Sequence, residues 1–397
     1  MSQSVRDNLA DREFHANPHP AYALWRREGP VREVRIASGA IVWLVTRYDD
    51  ARQALTDPRF SKTGRDDGHP SSEIERALSR HMLAVDPPDH TRLRRLVSAA
   101  FTARRIEALR PRITEITESL LDAFPGPGQD FDLIDAFAFP LPIQVICELL
   151  GIPAEDQDAF RRWSNIIVGG VAYQADFPAA AQAMVAYIRA LLAARRAQPG
   201  DDLLSGLIEV RDSEDRLSED ELMSMVFLLL IAGHETTVNL IGNGASLLLG
   251  ERERWEQLCA QPELLPTAIE EFLRFESPVE VATFRITKSA VELGGRTIPA
   301  YAPVVISLLS ANRDDSRFAD PDELRLDRPN NPHLAFGHGI HYCLGAPLAR
   351  LEAQIAFGAL TRRFPSLRLA VPASELQWRP GLLLRGLFTL PVTTGPG

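Results

Sequence analysis

From Leu222 to Leu249 the chain is apolar almost throughout, and Glu235 is its only formally charged residue. A helix that is hydrophobic all round has to be enclosed on every side, by lipid or by protein. A spanning helix needs about 20 apolar residues with few or no charges. Here His234, Glu235, Asn239 and Asn243 interrupt the run near its middle. Groups of that kind are costly in lipid, and where they occur they mark a site. The stretch therefore predicts a long helix buried at the centre of a soluble protein. With 397 residues, 45% of them hydrophobic, the chain is long enough to build that enclosure,.

Apolar spacing predicts further helices at Thr91–Phe101, Pro111–Phe124, Glu155–Ile167, Ala179–Ala197 and Pro262–Arg274,. Strand patterns lie toward the two ends. Val31–Thr46 alternates around Ser38-Gly39, Val291–Leu308 is punctuated by Gly294-Gly295, and Leu383–Val392 is a third candidate,. The expected fold is mainly α with a small β region, in a single domain over residues 1–397 that has no linker or composition break. Its β-rich part covers about 25–60, 280–310 and 380–393, and its helical body about 75–275 and 345–365,. Charged residues number 43 basic against 53 acidic, a net charge of −10, which argues against nucleic acid and against a polybasic membrane anchor,. Three cysteines in so long a chain fit a reducing cytoplasm, and Met1–Asp11 lacks the apolar run of a secretory peptide,.

Cys147 and Cys259 lie in periodic apolar segments and read as buried thiols,. Cys343 differs. It sits in Phe336-Gly-His-Gly-Ile-His-Tyr-Cys343-Leu-Gly345, a glycine-spaced loop running directly into a helical pattern at Ala346–Ala356. Glycines let backbone approach a flat ligand closely, and a helix N-terminus favours a thiolate just before it. One thiolate without a second cysteine nearby argues against zinc and against an iron–sulfur cluster. An axial thiolate on haem iron fits these residues best, and a buried structural cysteine in a glycine turn is the bland alternative.

The segment resembles the haem-binding signature of cytochrome P450 monooxygenases, FGxGxHxCxG, with every fixed position present. The resemblance implies the P450 fold: a triangular helical body with haem b buried between a long central helix and the cysteine loop. It makes Cys343 the iron ligand, gives haem-loop roles to Phe336, Gly337, Gly339 and Gly345, and puts His341 at a propionate,. Glu271 and Arg274 share a helix face and resemble the family's ExxR pair, with Arg328 as its third member; these would be structural,. Ala232-Gly233-His234-Glu235-Thr236 resembles the oxygen-activation motif, in which Thr236 and Glu235 would be catalytic and Ala232 and Gly233 would lie against the cofactor. His234-Glu235 also opens like a zinc-protease HExxH, but Val238 occupies the second histidine position,. His90 and Arg94, one helical turn apart, match the family's propionate partners, with a solvated cationic face as their bland alternative, and Arg285 matches a third,.

Met82, Leu83, Leu229, Ala232, Val279, Glu280, Val281, Ala282 and Leu383 would line the substrate pocket by the same resemblance, with Glu280 the one charge among them. An apolar pocket suits a hydrophobic molecule. Ser277–Arg285 and Leu334–Cys343 look closest to actinobacterial enzymes that tailor macrolides and other polyketides. Between Arg92 and Arg112 there are seven arginines and one acid, Glu107. They read either as a solvated helix surface or as a ferredoxin-docking patch around Arg92, Arg94, Arg95, Arg104 and Arg105. The chain has no flavin or nicotinamide fingerprint. NAD(P)H would therefore act indirectly, through a reductase and ferredoxin, on a monomeric cytoplasmic protein. The competing expectations are a peroxide-driven oxygenase, a non-catalytic haem sensor and, least supported, a hydrolase built on His234-Glu235.

Overall fold

Two tight turns organise the β region. Gly39 adopts φ +83°, and its N–H donates to the Ile36 carbonyl at 2.8 Å, so the chain reverses between β1 (Val31–Arg35) and β2 (Ile41–Val45). The antiparallel register runs from Val31 opposite Val45 to Arg35 opposite Ile41. Short strands follow: β3 (Phe60–Ser61), β4 (Asp130–Asp132), β5 (Arg285–Thr287), β6 (Val291–Leu293), β7 (Arg296–Ile298), β8 (Pro303–Ile306), β9 (Arg368–Leu369) and β10 (Pro391–Thr393). They form a five-stranded sheet in the order β1-β2-β8-β5-β3, a three-stranded sheet β4-β10-β9, and the hairpin β6-β7. That hairpin turns on Gly294 and Gly295, both at positive φ, as a two-residue turn of this hand requires,.

The computed structural model describes residues 8–63, 73–98, 101–153, 156–168, 173, 175–200, 202–212 and 217–395. Residues 1–7, 99–100 and 155 lie outside these, and with them parts of the expected N-terminal, Thr91–Phe101 and Glu155–Ile167 segments. Helices occupy Asp89–Ser98, Arg110–Asp122, Gln157–Val168, Phe177–Ala197 and Leu265–Phe275. The fold is mainly α with a small β region, as the spacing predicts. The Leu383–Val392 expectation does not hold as one strand. It divides into isolated bridges at Leu384 and Leu387, on either side of Gly386, and then the short β10, which begins at Pro391,.

The chain packs as two compact units. One comprises 1–60, 110–141 and 236–397, the other 61–109 and 142–235. Two of these bounds fall inside helices, Pro140–Leu150 and Glu219–Leu249, so no linker or composition shift marks them.

In the first unit the sheet is covered on both faces. Trp43, Val45, Val304 and Ile306 join a core with Tyr48, Leu55 and Phe60, while the alternate residues Val42, Leu44 and Val305 pack with Phe14, Tyr22 and Trp25,. That explains the continuous apolar run of β2, where a one-sided strand would alternate. In the second unit Phe160 and Trp163 of Gln157–Val168 meet Tyr187 of Phe177–Ala197, with ring centroids 4.8 and 5.9 Å apart.

The long helix spans Glu219–Leu249, 31 residues. It and Phe177–Ala197 are long and apolar enough to cross a membrane by composition, yet 78% of the long helix's apolar window is buried inside the protein. Its mid-helix amides are used in packing. Asn243 donates to the carbonyls of Glu276 and Arg385 at 3.2 and 3.0 Å. At Gly386 a Cβ would overlap the Asn239 side chain, so that segment passes close to the helix only because it carries glycine,.

Candidate active site

The loop that carries Cys343 is shaped by left-handed glycines and closed by its own backbone. Gly337 and Gly339 both adopt φ +73°, and a Cβ at Gly339 would sit 3.0 Å from the Leu55 carbonyl. The Cys343 N–H donates to the Phe336 carbonyl at 2.9 Å. The 18-residue helix Ala346–Arg363 begins immediately after, capped by Gly345 with Pro347 in its first turn. Its free N–H groups and dipole favour a thiolate at Cys343, whose side chain is exposed,. Cys147 is the opposite case, because burial pushes its thiol up to about 12. Among the described residues no cluster of three or more His, Cys, Asp or Glu could hold a metal ion. A lone accessible thiolate on a glycine-spaced loop fits haem iron and does not fit zinc.

Two consecutive carboxylates brace this loop. Glu271, 0% exposed, accepts from Arg274 Nε and a second guanidinium nitrogen, each at 2.8 Å, and from Arg328 Nε at 3.0 Å. It also takes the Arg325 N–H at 2.9 Å and the Asn331 amide at 3.0 Å. Burial alone would raise this carboxyl, yet the arginine hydrogen bonds hold it below its ordinary value. Glu270 faces the loop itself. Arg350 binds it in bidentate fashion at 2.6 and 2.7 Å, and His333 Nε2 lies 3.0 Å away. The Arg350 guanidinium stacks 4.5 Å over the Phe336 ring. Burial opposes ionisation here too, and the Arg350 and His333 contacts outweigh it, holding Glu270 near 2. Sequence reasoning missed Glu270 and Arg350, although an acid beside Glu271 and an arginine on the helix after Cys343 were visible signals.

On the long helix, Ala232 is exposed and Gly233 and Thr236 are half-buried, while His234, Glu235 and Thr237 are buried. Ala232 and Thr236 lie one turn apart, so the helix opens along one narrow face at its middle. A Cβ at Gly233 would lie 2.8 Å from Ile146. The Glu235 carboxylate lies 3.5 Å from both His234 Nε2 and Ser164 Oγ. Ser164 was not anticipated, because a lone serine within a helical segment gives no sequence signal of its own.

The other expected residues are distributed as follows. In the first unit Arg285 is 4% exposed and donates to the Phe60 carbonyl at 3.1 Å, and His341 lies half-buried in the short turn Gly339–His341. In the second unit His90 is 2% exposed and Arg94 half-buried, on one face of Asp89–Ser98. Arg95, Arg104 and Arg105 are exposed, whereas Arg92 is paired with Glu221. Among the pocket candidates Met82, Leu229 and Val281 are buried, Leu83, Val279 and Ala282 are half-buried, and Leu383 is 38% exposed.

Glu280 is 1% exposed, and its carboxyl accepts from the Tyr22 hydroxyl at 2.7 Å, so its side chain is tied into the core. Its backbone holds the neighbouring segment through Leu383 and Leu308. Burial pushes this carboxyl up to about 7, against the lowering influence of Arg385 and the Tyr22 bond.

The family model described as Cytochrome P450 matches residues 247–370. The chain is 51% identical to Cytochrome P450 107B1 of Saccharopolyspora erythraea, over 98% of both chains. It is 45% identical to Mycinamicin IV hydroxylase/epoxidase of Micromonospora griseorubida, over 91% of this chain and 92% of that one. Its structure matches the tirandamycin C-bound P450 monooxygenase TamI with a TM-score of 0.91 at 48% identity, over 97% and 99% of the two chains.

Removing the Glu271 carboxylate leaves two buried guanidiniums uncompensated. Glu271→Ala is expected to cost about 3–5 kcal/mol in urea denaturation. Glu256→Ala, in an exposed pair with Arg252, should cost less than about 1 kcal/mol,. Equal small losses would contradict this account. For Glu280 the folded protein holds its proton more tightly than the unfolded chain, whose ordinary value is 4.5. Its stabilising contribution is therefore full below that value and is lost as pH rises through about 7,. Glu280→Gln keeps the Tyr22 contact and does not titrate, so its stability should gain on wild type between about pH 5 and about pH 8. A pH-independent difference between the two proteins would show that Glu280 is not held neutral.

Proposed function

Because the chain belongs to the cytochrome P450 family, as a monooxygenase, we propose that it inserts one oxygen atom from O2 into a C–H bond or an alkene of a hydrophobic natural product. The substrate is a macrolide or other polyketide. Cys343 carries the reading: a single exposed thiol between glycine turns, directly ahead of a helix N-terminus. The haem b implied by the family supplies the oxidation of an unactivated bond when bound. Cys343 would ligate its iron. Arg285, His341, His90 and Arg94 would meet its propionates, with guanidinium geometry suited to carboxylates. Phe336, Gly337 and Gly345 shape the loop that presents the thiolate; Ala232 and Gly233 would lie against the flat ligand, Ala232 leaving room through its small exposed side chain and Gly233 packing on Ile146.

Thr236 offers a hydroxyl on the open face of the long helix, and Glu235, buried beside it, holds the proton that Thr236 passes on. The half-buried Val279 and Ala282 and the exposed Leu383 offer apolar contacts to a substrate. The relative named as a mycinamicin IV hydroxylase/epoxidase and the tirandamycin C complex of TamI support this substrate class. Electrons come from NAD(P)H through a reductase and a ferredoxin. Arg95, Arg104 and Arg105, with the half-buried Arg94, give a cationic surface on an acidic protein, which favours an acidic partner,. We place the protein in the cytoplasm as a monomer.

The test is turnover under labelled oxygen gas with a ferredoxin, its reductase and NAD(P)H, using tirandamycin C and mycinamicin IV as probes. One labelled atom in the product is expected, and product oxygen drawn from water would contradict the reading. Thr236→Ala should lower product about tenfold or more and release peroxide instead. Unchanged coupling would remove Thr236 from the chemistry.

A further inference from the structure

His234 and Ser164 belong to a buried constellation that the acid–alcohol pair does not account for. Ser164, on Gln157–Val168, is 0% exposed, and His234 and Glu235 are each 1% exposed. His234 Nδ1 lies 2.7 Å from the Leu230 carbonyl one turn back. A carbonyl only accepts, so Nδ1 carries the hydrogen, and in the neutral ring Nε2 is an acceptor. Ser164 Oγ lies 3.1 Å from Nε2, so the hydroxyl donates to it.

Consecutive side chains on a helix point away from each other. His234 and Glu235 nevertheless share a partner, because Ser164 also lies 3.5 Å from the Glu235 carboxylate. A buried serine satisfies itself with a carbonyl of its own preceding turn, and Ser164 has the Arg161 carbonyl at 3.3 Å for that purpose. The histidine nitrogen and the carboxylate are two further acceptors for its single hydrogen. Rotating the hydroxyl switches it between the imidazole and Glu235.

We propose that His234 and Ser164 form a relay that returns a proton to Glu235. This rests on the reading of Glu235 as the proton donor. The relay is loaded when a proton from water protonates His234 at Nε2. The imidazolium then donates through Nδ1 to Leu230 and through Nε2 to Ser164, and the hydroxyl hydrogen turns to Glu235. In transfer the Nε2–H bond breaks as an O–H bond forms on Ser164, while the original Ser164 O–H bond breaks as one forms on the Glu235 carboxylate. One proton moves and no electrons change hands. His234 returns to its neutral Nδ1–H form and Glu235 is reloaded.

Two measurements on the holoprotein test the relay. Nitrogen NMR of histidine-labelled, reduced, carbon monoxide-bound protein, with His234 assigned by its loss in His234→Gln, should show the Nδ1–H tautomer. An Nε2–H tautomer would overturn the proposal. Oxygen consumption with ferredoxin, reductase, NAD(P)H and tirandamycin C is then compared in H2O and D2O, a rate that is read whether or not the probe is oxidised. Ser164→Ala and His234→Gln should each lower kcat about tenfold, short of the roughly 10²–10⁴-fold contribution of a whole acid–base step. Both should leave KM for ferredoxin unchanged and alter the solvent isotope effect. Ser164→Thr, which keeps a hydroxyl, should restore both rate and isotope effect. A wild-type rate and isotope effect in Ser164→Ala, or a loss in Ser164→Thr equal to that in Ser164→Ala, would overturn the relay and leave the trio a packing contact. Failure of the monooxygenase reading is separately visible, as a wild-type holoprotein without a thiolate-type spectrum.

Discussion

A carboxylate that is 0% exposed and touches two guanidiniums is a poor source of stability, because stripping water from three charges costs about what their attraction returns,. What Glu271 provides is position. It ties Arg274 on its own helix to Arg328, to the Arg325 backbone and to Asn331, and so fixes the segment from which the Cys343 loop departs. Glu270, the adjacent residue on Leu265–Phe275, holds the other end. It binds Arg350 on the helix that follows Cys343 and His333 before the loop, and Arg350 in turn caps the Phe336 ring. One helix thus grips both flanks of the loop that carries the exposed thiol.

The long helix works by the opposite means. Its enclosure is apolar, so each polar residue at its middle must be satisfied or used. Asn243 is satisfied by two carbonyls, and Asn239 lies against Gly386, where no side chain could fit. Glu235 lies 3.5 Å from His234 and from Ser164, while His234 reaches the Leu230 carbonyl at 2.7 Å and Ser164 at 3.1 Å. Thr236 is more accessible than the residues on either side of it. The helix is thus an apolar rod with one polar, partly accessible stretch at its middle.

Much of this was legible in the residues. The glycine spacing around Cys343, the i, i+3 pair Glu271–Arg274 and the interrupted apolar run each pointed to a specific element before any coordinates. Local periodicity carried the helices, and glycine turns carried both hairpins. What escaped was set by distant partners. Glu280 finds its partner in Tyr22, far away in sequence on the helix His19–Glu28. Arg92 is paired with Glu221, more than a hundred residues away, a contact that no local pattern shows. Ser164 and Glu270 gained meaning only from what folding sets beside them. The segment before β10 reads as a strand because its composition is aliphatic, while its ladder is reduced to isolated bridges at Leu384 and Leu387 on either side of Gly386,.

The most direct test of a single thiolate, placed by two carboxylates, is the optical spectrum of the reduced protein under carbon monoxide, recorded beside Cys343→Ser. The account predicts a thiolate-type band in the wild type that is lost in the variant. A histidine-type band in both proteins, or a band indifferent to the substitution, would contradict it.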